Sequence, residues 1–518
     1  MKQPDRKWRI LYYDDSSELF MCGPGDMQKE TLERWVDQLA GTQVDALSWI
    51  AGIPDVCYFD TRKGEVFGSG HESLNASEST WSWQVSENVH ALIRAGDDPM
   101  RVISERCHHH GIDFLAVFRM NDEHAIAQDD DALSSRFLLD HLDWRVPGRR
   151  GALDYSIKEV RDHRFAIIQE AAEGYEIEGI ELDWMRWGVM FPKGEEREKS
   201  PILTEFVRRI RKMLDRVARE KGKDRLLLGT RVAPTVAATE EMGIDLEAWL
   251  SEGLLDYLIP SDFYYTDFNM PVETFKELTQ GTRCKLYPSV HPMRSSDDTR
   301  PLTEAHLRAA ANNYYAGGAD GISMYNFFVG QLALPDSYMP SALIRDSWHI
   351  AMNAIQEIGD RDLVMGKDRH YQYYPMWAKT WPLGGGPGSR CDSTRLSRTE
   401  LGKREGFRFR IMEDLTDPDL SAQLRFKVIN MTMADVLEVD LNGTPIEMER
   451  FVRTHWGRGR SYGTERSLFP WFQFDLPLTA PPARTGDNEI GFRLIETAPR
   501  ISFGMWVEEV AVKVTVVE

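Results

Sequence analysis

Short apolar runs alternate with longer amphipathic stretches over the first 360 residues of the chain. This alternation is typical of parallel β/α units, because each buried strand is followed by a covering helix before the next strand begins. The candidate strands are Arg9–Tyr13, Ala46–Ile50, Phe114–Arg119, Gly179–Asp183, Leu226–Arg231, Tyr257–Pro260, Lys285–Pro288 and Gly321–Tyr325. Eight strands, each followed by helix-capable sequence, are the number that closes a (β/α)8 barrel. The pattern therefore predicts a TIM barrel.

A Gly/Pro-rich stretch at residues 383–389 marks a change of pattern. Beyond it, apolar and polar residues alternate with a period of two, which indicates antiparallel strands. The pair Asn442-Gly443 lies between two apolar runs and is a strong hairpin signal, since both residues accept a positive φ. We therefore expect a barrel over residues 1–360, a linker over 361–395 and a β-sandwich of jelly-roll type over 396–518.

Charge and cysteine content exclude several classes of protein. The chain has 82 acidic and 62 basic residues, a net charge of -20, so it lacks the positive field that a general nucleic-acid or anionic-membrane binder needs. Its five cysteines are scattered, and neither a disulfide framework nor a thiolate zinc site is indicated. We find no apolar stretch of about 20 residues and no signal-peptide pattern at the start. We expect a cytoplasmic protein that binds neither nucleic acid nor membrane, and the sequence leaves open whether it is a homo-oligomer.

The most informative segment is the fourth strand, Gly179–Asp183. Side chains alternate between the two faces of a strand, so Glu181 and Asp183 face the barrel interior together. A buried carboxylate is unfavourable by several kcal/mol unless it is paired. One interpretation is that inward arginines such as Arg119 or Arg231 neutralise both acids. The other is that Asp183, nearest the C-terminal rim, is a catalytic carboxylate with Glu181 beneath it as the orienting group.

Polar and aromatic residues also follow the other strands at their C-terminal ends, where barrel enzymes carry their sites. Asp14 and Asp15 fit the capping of the next helix equally well. As a set, carboxylates, amides and aromatic rings favour a neutral ligand rich in hydroxyl groups, such as a sugar. The predicted substrate-binding residues are Asp14, Asp15, Trp49, Arg119, Asn121, Asp122, His124, Arg186, Arg231, Tyr264, His291, Tyr325 and Asn326.

Cleavage of a glycosidic bond needs two carboxyl groups, one protonated and one ionised. Asp183 is our candidate for the nucleophile or base, kept ionised by Arg186 or Arg231. Asp262, at the end of the sixth strand, is our candidate for the general acid, because apolar neighbours such as Phe263 raise the pKa of a carboxyl group by desolvation. Glu181, Asp122 and Asp267 are held in reserve for the second role.

The run Gly-Ile-Glu-Leu-Asp-Trp-Met-Arg at 179–186, with Phe-Arg-Met-Asn-Asp-Glu-His at 118–124, resembles the glycosyl-hydrolase-like 10 family, barrel proteins of bacterial carbohydrate metabolism. The resemblance covers most of residues 8–360, and a trailing β-sandwich also recurs in that family. It implies that Asp183 is the principal catalytic carboxylate. It also implies substrate contacts from Arg119, Asn121, Asp122 and His124. An Asp on strand four with an Asp on strand six is similar to several α-glycosidase barrels, which is why we choose Asp262 as the partner.

These observations together predict a glycoside hydrolase that acts on an oligosaccharide or small glycoside, without a cofactor or a resident metal. Two alternatives stay open: a carbohydrate-binding barrel without cleavage, and a metal-dependent hydrolase or lyase that uses Asp14, Asp122 and His124. The tract from Cys107 to His110 is interpreted as a helix C-terminus, because adjacent residues on a helix diverge and cannot share one ion.

Overall fold

A computed structural model describes residues 7–20, 22–73, 79–123, 131–262, 266–292, 302–327, 349–373, 394–456 and 471–517. The chain divides into two compact units. The first comprises residues 1–263, 272–289 and 319–359, and the second comprises residues 264–271, 290–318 and 360–518. Within the described part of the chain, no helix is long and apolar enough to cross a lipid bilayer.

The first unit is built on a parallel sheet whose strands follow one another around a barrel, which confirms the predicted fold. We number the barrel strands one to eight in chain order, with strand seven in two short pieces. Their bounds are Ile10–Asp14, Val44–Ile53, Asp113–Arg119, Gly179–Asp183, Leu227–Val232, Tyr257–Pro260, Lys285–Leu286 with Ser289–Val290, and Ile322–Tyr325.

The sheet closes on itself at strand seven. The Tyr287 amide donates to the carbonyl of Leu258 in strand six at 2.9 Å, and Pro288 accepts from the Ser323 amide of strand eight at 3.0 Å. Strand eight in turn pairs in parallel with strand one, so each strand has a neighbour on both sides. Closure brings the C-terminal ends of all the strands to one rim.

Helices occupy the connections between the strands. The longest, Glu196–Glu220, buries Leu203, Phe206, Val207 and Ile210, the helical spacing that its sequence carries. The short strands Val56–Cys57 and Glu65–Val66 lie in the connection after strand two. The helices of this unit are Lys29–Asp37, Ser79–Ala95, Pro99–His109, Arg136–Asp140, Lys158–Gly174, Glu196–Glu220, Val236–Glu241, Leu246–Ser251 and Val272–Thr279, with 3-10 turns at Ser17–Phe20 and Leu142–Trp144.

The second unit contains two antiparallel sheets in its described residues. Their strands are Arg369–Tyr373, Arg395–Leu396, Arg404–Ile411, Leu420–Ile429, Val436–Leu441, Thr444–Ile446, Val452–Trp456, Trp471–Leu478, Gly486–Glu496 and Met505–Val516, and the helices Glu304–Ala316 and Arg361–Met365 belong to the same unit. The rings of Phe426 in one sheet and Phe492 in the other lie 5.1 Å apart, so the sheets pack face to face. The prediction of a sandwich is confirmed.

Two details of the sandwich bear on the sequence predictions. Asn442 and Gly443 both adopt a positive φ, of 53° and 78°, between paired strands, as the hairpin signal requires. Strand Arg369–Tyr373 pairs with Met505–Val516, although it lies inside the segment predicted as a linker. Its polar sequence does not indicate a buried strand, since the burial of Arg369 is compensated by an ion pair with Glu413 at 2.6 Å and by hydrogen bonds to the carbonyls of residues 364, 365 and 367.

Candidate active site

Strand alternation sorts the barrel residues into an interior set and an outer set. The interior set near the N-terminal end is the apolar cluster of Trp8, Leu11, Ala46, Leu115, Tyr257, Ile259 and Tyr287. Two residues further along strand one, Tyr13 also points inward, as do Asp183 and Arg231 on strands four and five. With Tyr325 of strand eight these residues form what we call the central cluster, at the C-terminal end of the barrel interior.

Asp183 is fully buried, and each of its carboxylate oxygens accepts hydrogen bonds. Oδ2 accepts from the Tyr13 hydroxyl at 2.8 Å, and Oδ1 accepts from the Met185 amide at 2.9 Å. Nη1 of Arg231 lies 3.1 Å from both oxygens. The guanidinium charge and these donors compensate the burial of the carboxylate. The sequence predicts an acid at an open rim, whereas the structure buries Asp183 completely and engages its oxygens with Tyr13, Met185 and Arg231.

Arg231 is the hub of the central cluster. While Nη1 binds Asp183, Nη2 donates to the backbone carbonyl of Asp262 at 2.9 Å. The guanidinium lies 3.6 Å from the ring centroid of Tyr325, which packs against Tyr13 at 4.3 Å. Burial lowers the pKa of Arg231, but the charges of Asp183, Tyr325 and Tyr13 together more than offset this, so the pKa lies above its ordinary value. One guanidinium thus connects the ends of strands four and six.

Glu181 lies one layer deeper and is also fully buried. Its Oε2 accepts from the Ser48 hydroxyl at 2.6 Å and from the Tyr257 hydroxyl at 3.3 Å, while Oε1 has no hydrogen-bond partner among the described residues. Desolvation raises the pKa of Glu181 to about 7, and the nearby negative charge of Asp183 adds to the effect. The barrel interior therefore holds the Asp183–Arg231 ion pair and, beside it, a carboxyl group of Glu181 that takes up a proton near neutral pH.

Arg119 forms a second ion network at the same end of the barrel. It binds Asp15 of the connection after strand one and Asp122, the latter at 3.2 Å, and its side chain is 2% exposed. Its charge also acts on Tyr13 of the central cluster. The structure thus brings Asp15, Arg119 and Asp122 together beside that cluster, with one guanidinium between two carboxylates.

Three further predicted residues lie around the central cluster. Arg186 reaches the Tyr325 hydroxyl at 3.5 Å and is buried. Asn326 adopts a positive φ of 58°, and its Oδ1 is buried with no hydrogen-bond partner in the described part of the chain. Asp262 is 2% exposed, and its carbonyl binds Arg231.

Asn121 holds the loop after strand three and is fully engaged in doing so. Its Nδ2 donates to the carbonyls of Leu153 at 3.0 Å and Val189 at 2.6 Å, and its Oδ1 accepts from the Leu153 amide. The side chain is completely buried. Its observed contacts position backbone segments, whereas the sequence predicts a contact with substrate.

Asp14 and Trp49 do not join the central cluster. Because Tyr13 and Ser48 point inward, their chain neighbours Asp14 and Trp49 point outward. Trp49 is fully buried, packs against Phe114 at 6.2 Å and donates to Glu18 at 2.6 Å. The prediction that Trp49 offers a stacking face to a sugar is wrong for this geometry, since its ring belongs to the core outside the barrel.

Three further residues that were predicted to bind substrate cannot be placed in the central cluster. His124 and Tyr264 lie outside the described residues. His291 belongs to the second compact unit, where its amide donates to Thr266 Oγ1 at 2.8 Å.

No group of three or more His, Cys, Asp or Glu side chains suited to a metal ion occurs among the described residues. In the histidine tract, His108 pairs with Glu178 at 2.8 Å and His110 with Asp37 at 2.6 Å, so neighbouring histidines diverge to different partners, as predicted.

Tyr13, Ser48 and Tyr257 are interior residues that our sequence reasoning did not select. The signal was present in the sequence, because each falls on the inward parity of its strand. Which acid each would bind depends on the register between strands, such as the pairing of Tyr13 with Tyr325.

Comparison with known proteins gives a distant likeness to carbohydrate enzymes. No family model matches the chain. Proteins of Escherichia coli named "Glycosyl hydrolase DigH" are 22% identical over 236 residues, covering 37% of this chain. The chain spans about half the length of these curated relatives, 53%.

Two solved structures share a similar arrangement at low similarity. They are alpha-L-fucosidase isoenzyme 2 from Paenibacillus thiaminolyticus (12% identity, 70% of this chain, 51% of that chain, TM-score 0.43) and the PgaB (BpsB) glycoside hydrolase domain from Bordetella bronchiseptica (12% identity, 68% of this chain, 99% of that chain, TM-score 0.42). At this level of similarity the likeness says nothing about which bond is cleaved.

Proposed function

We propose that the chain is a glycoside hydrolase in which Asp183 is the nucleophile or base and Asp262 is the general acid. The observation that carries the proposal is the hub formed by Arg231, whose two terminal nitrogens bind the Asp183 carboxylate and the Asp262 backbone. Arg231 thus links the Asp183 carboxylate to the backbone at Asp262, at the ends of strands four and six. The proposal requires the two carboxyl groups to lie about 5–9.5 Å apart, as in glycosidases.

The environment of Asp183 suits an ionised carboxylate with a fixed orientation. Tyr13, Met185 and Arg231 all donate to it, and none of them can accept a proton from it at neutral pH. Glu181, with a pKa of about 7, lies below as a group that holds a proton next to this charge. The Tyr13 hydroxyl donates to Oδ2 of Asp183. The proposal requires that a bound sugar displace this hydroxyl, so that Oδ2 becomes accessible.

The substrate proposed is an oligosaccharide or small glycoside. Asn326 Oδ1 and Arg119 Nε are buried without partners among the described residues, so this end of the barrel has hydrogen-bonding capacity that the protein itself does not use. The likeness to proteins named glycosyl hydrolase, and the resemblance of residues 179–186 to the glycosyl-hydrolase-like 10 family, support the same substrate class.

Substitution of Asp183 is the direct test. On a panel of α- and β-glycosides, Asp183→Asn should lower kcat by at least about 10²-fold, the lower end of what a positioned acid or base contributes. Asp113→Asn is the matched control, because Asp113 is a buried acid at the start of strand three, at the opposite end of the barrel, where it accepts from Trp8 at 2.8 Å. Equal turnover in the Asp183 variant and the parent would refute the assignment.

Asp262 is tested through the pH profile. If Asp262 is the general acid, Asp262→Asn should remove the alkaline limb of the kcat/KM profile and slow substrates with poor leaving groups most. An unchanged alkaline limb would assign the acid to another residue, with Glu181 the first to examine.

The neutralised state of Asp183 favours one second candidate, a carbohydrate-binding barrel that does not cleave. Calorimetry separates the two functions. Binding of a glycan without release of sugar over long incubation would establish this second candidate, whereas product formation that Asp183→Asn abolishes would exclude it.

A further inference from the structure

The connection after strand three carries a column of stacked aromatic rings. Trp144 lies on His141 with ring centroids 3.8 Å apart and an interplanar angle of 27°. His141 packs against Phe137 at 4.8 Å, and Phe137 stacks on His163 at 3.8 Å and 13°. We call Phe137, His141 and Trp144 the aromatic column. All three side chains are partly exposed.

The inner end of the column is anchored by buried polar groups. His163 Nε2 lies 3.2 Å from the buried Asp55, and burial lowers the pKa of His163 to about 4, so this ring is neutral at neutral pH. Ser135 donates to the same carboxylate at 3.0 Å and also caps the helix Arg136–Asp140, which carries Phe137. The column therefore starts from a fixed base.

The outer end of the column presents unused polar atoms. His141 Nδ1 donates to the carbonyl of Phe137 at 2.8 Å, and Nε2, at the other side of the ring, is the acceptor of the Nδ1–H tautomer. The indole N–H of Trp144 makes no hydrogen bond to any described residue and is not among the buried polar atoms. A donor and an acceptor thus lie on adjacent stacked rings, and the Trp144 ring, which stacks on His141, is partly exposed.

Backbone contacts place the column at the C-terminal end of the barrel. The Asp154 amide donates to the Trp144 carbonyl at 2.9 Å. Tyr155, the next residue, packs against Trp184 at 6.0 Å, and Trp184 directly follows Asp183 in the chain. Asn121, at the end of strand three, fixes the same segment through Leu153. The column is therefore attached to the rim that carries the central cluster.

We propose that the aromatic column is a sugar-binding subsite, with Trp144 as the platform for one neutral pyranose unit of an oligosaccharide. The C–H face of a pyranose is apolar, and it matches the negative face of the indole ring. Its hydroxyl groups both donate and accept, which matches His141 Nε2 and Trp144 Nε1. The inference rests on the proposed function for its substrate class and adds where a unit remote from the cleaved bond is held.

Binding measurements on the full chain test the subsite without requiring turnover. The probes are maltohexaose, cellohexaose and chitohexaose, titrated by calorimetry into the parent, Trp144→Ala and Trp83→Ala. Trp83, on the helix Ser79–Ala95, is 48% exposed and is the matched control. Trp144→Ala should weaken binding of at least one hexasaccharide about tenfold, the loss expected for one aromatic contact. Trp83→Ala should bind within about twofold of the parent.

A second variant distinguishes loss of the stacking contact from misfolding. Trp144→Phe keeps a stacking face but loses the N–H donor, so it should bind with intermediate affinity and unfold at the same temperature as the parent. Equal affinity of Trp144→Ala and the parent for all three probes, or no binding of any probe, would overturn the subsite.

Failure of the proposed function has a different signature. If the parent releases no sugar but Trp144-dependent binding persists, the subsite stands and the cleavage proposal fails. If Asp183→Asn abolishes turnover while Trp144→Ala leaves affinity and KM unchanged for every hexasaccharide, the cleavage proposal stands and the subsite fails.

Discussion

The buried carboxyl group of Glu181 makes the stability of this protein depend on pH in a calculable way. Its pKa is raised from 4.5 to about 7 in the folded chain, so the folded state holds a proton that the unfolded state has already released between these pH values. Stability therefore falls as pH rises from about 4.5 through 7, and this contribution is constant above that range. The step corresponds to about 3 kcal/mol. Glu181→Gln imitates the protonated form and keeps an acceptor for Ser48 and Tyr257.

Urea unfolding at about pH 5 and about pH 9 measures this contribution. The parent and Glu181→Gln should have similar stability at the lower pH, and the variant should be more stable by up to about 3 kcal/mol at the higher pH. Glu247→Gln, on an exposed helical position, controls for the general effect of removing a negative charge. Infrared spectra add a direct readout, since the part of the protonated-carboxyl band that titrates near pH 7 should be missing from Glu181→Gln.

A stability difference between parent and Glu181→Gln that stays the same within about 1 kcal/mol at both pH values would refute the reasoning. It would mean that the carboxyl group ionises in the folded state as easily as in the unfolded state. The effect argued for burial of Glu181 beside the Asp183–Arg231 ion pair would then be wrong.

Three further outcomes are expected. Arg231→Met should destabilise the protein by about 3–5 kcal/mol, because it leaves Asp183 buried without a cation, and adding Asp183→Asn should recover much of the loss; chemical denaturation of the single and double variants measures this. Gly229→Ala should lower the urea midpoint and destabilise by at least about 1–3 kcal/mol, because a Cβ there would lie 1.9 Å from the Tyr257 ring. Gly443→Ala, at a φ of 78°, should cost about 1 kcal/mol in a thermal or urea transition of the sandwich, and an unchanged transition would argue against the hairpin geometry.

The fold could be predicted because its signal is repeated along the chain. Eight apolar runs with helix-capable connections leave few alternatives to a barrel, and Asn442-Gly443 identifies one hairpin of the sandwich directly. The strand Arg369–Tyr373 was not predicted, because Arg369 is buried in an ion pair with Glu413, a residue that is distant in sequence. Local patterns carry no information about such a pair.

The candidate site was predictable in part. The inward direction of Glu181 and Asp183 follows from strand alternation, and pairing with Arg231 was one of the two interpretations that the sequence left open. Because side chains alternate, Asp14 and Tyr13 cannot lie on the same face of strand one. Selecting candidate residues only by their position at strand ends therefore also included residues, such as Asp14, that point away from the barrel interior. The distance between two acids depends on strand register and loop conformation, which no periodicity encodes.

The split in strand seven has a consequence for how the barrel opens. Pro288 lies between the two short pieces and has no amide hydrogen, so at this position the chain contributes only its carbonyl, to Ser323. Strand seven, which joins strand six to strand eight, thus has the shortest run of paired residues on each side. Amide hydrogens of Tyr287 and Ser323 should exchange with solvent sooner than those of strands three to five, and local unfolding of the barrel should begin there.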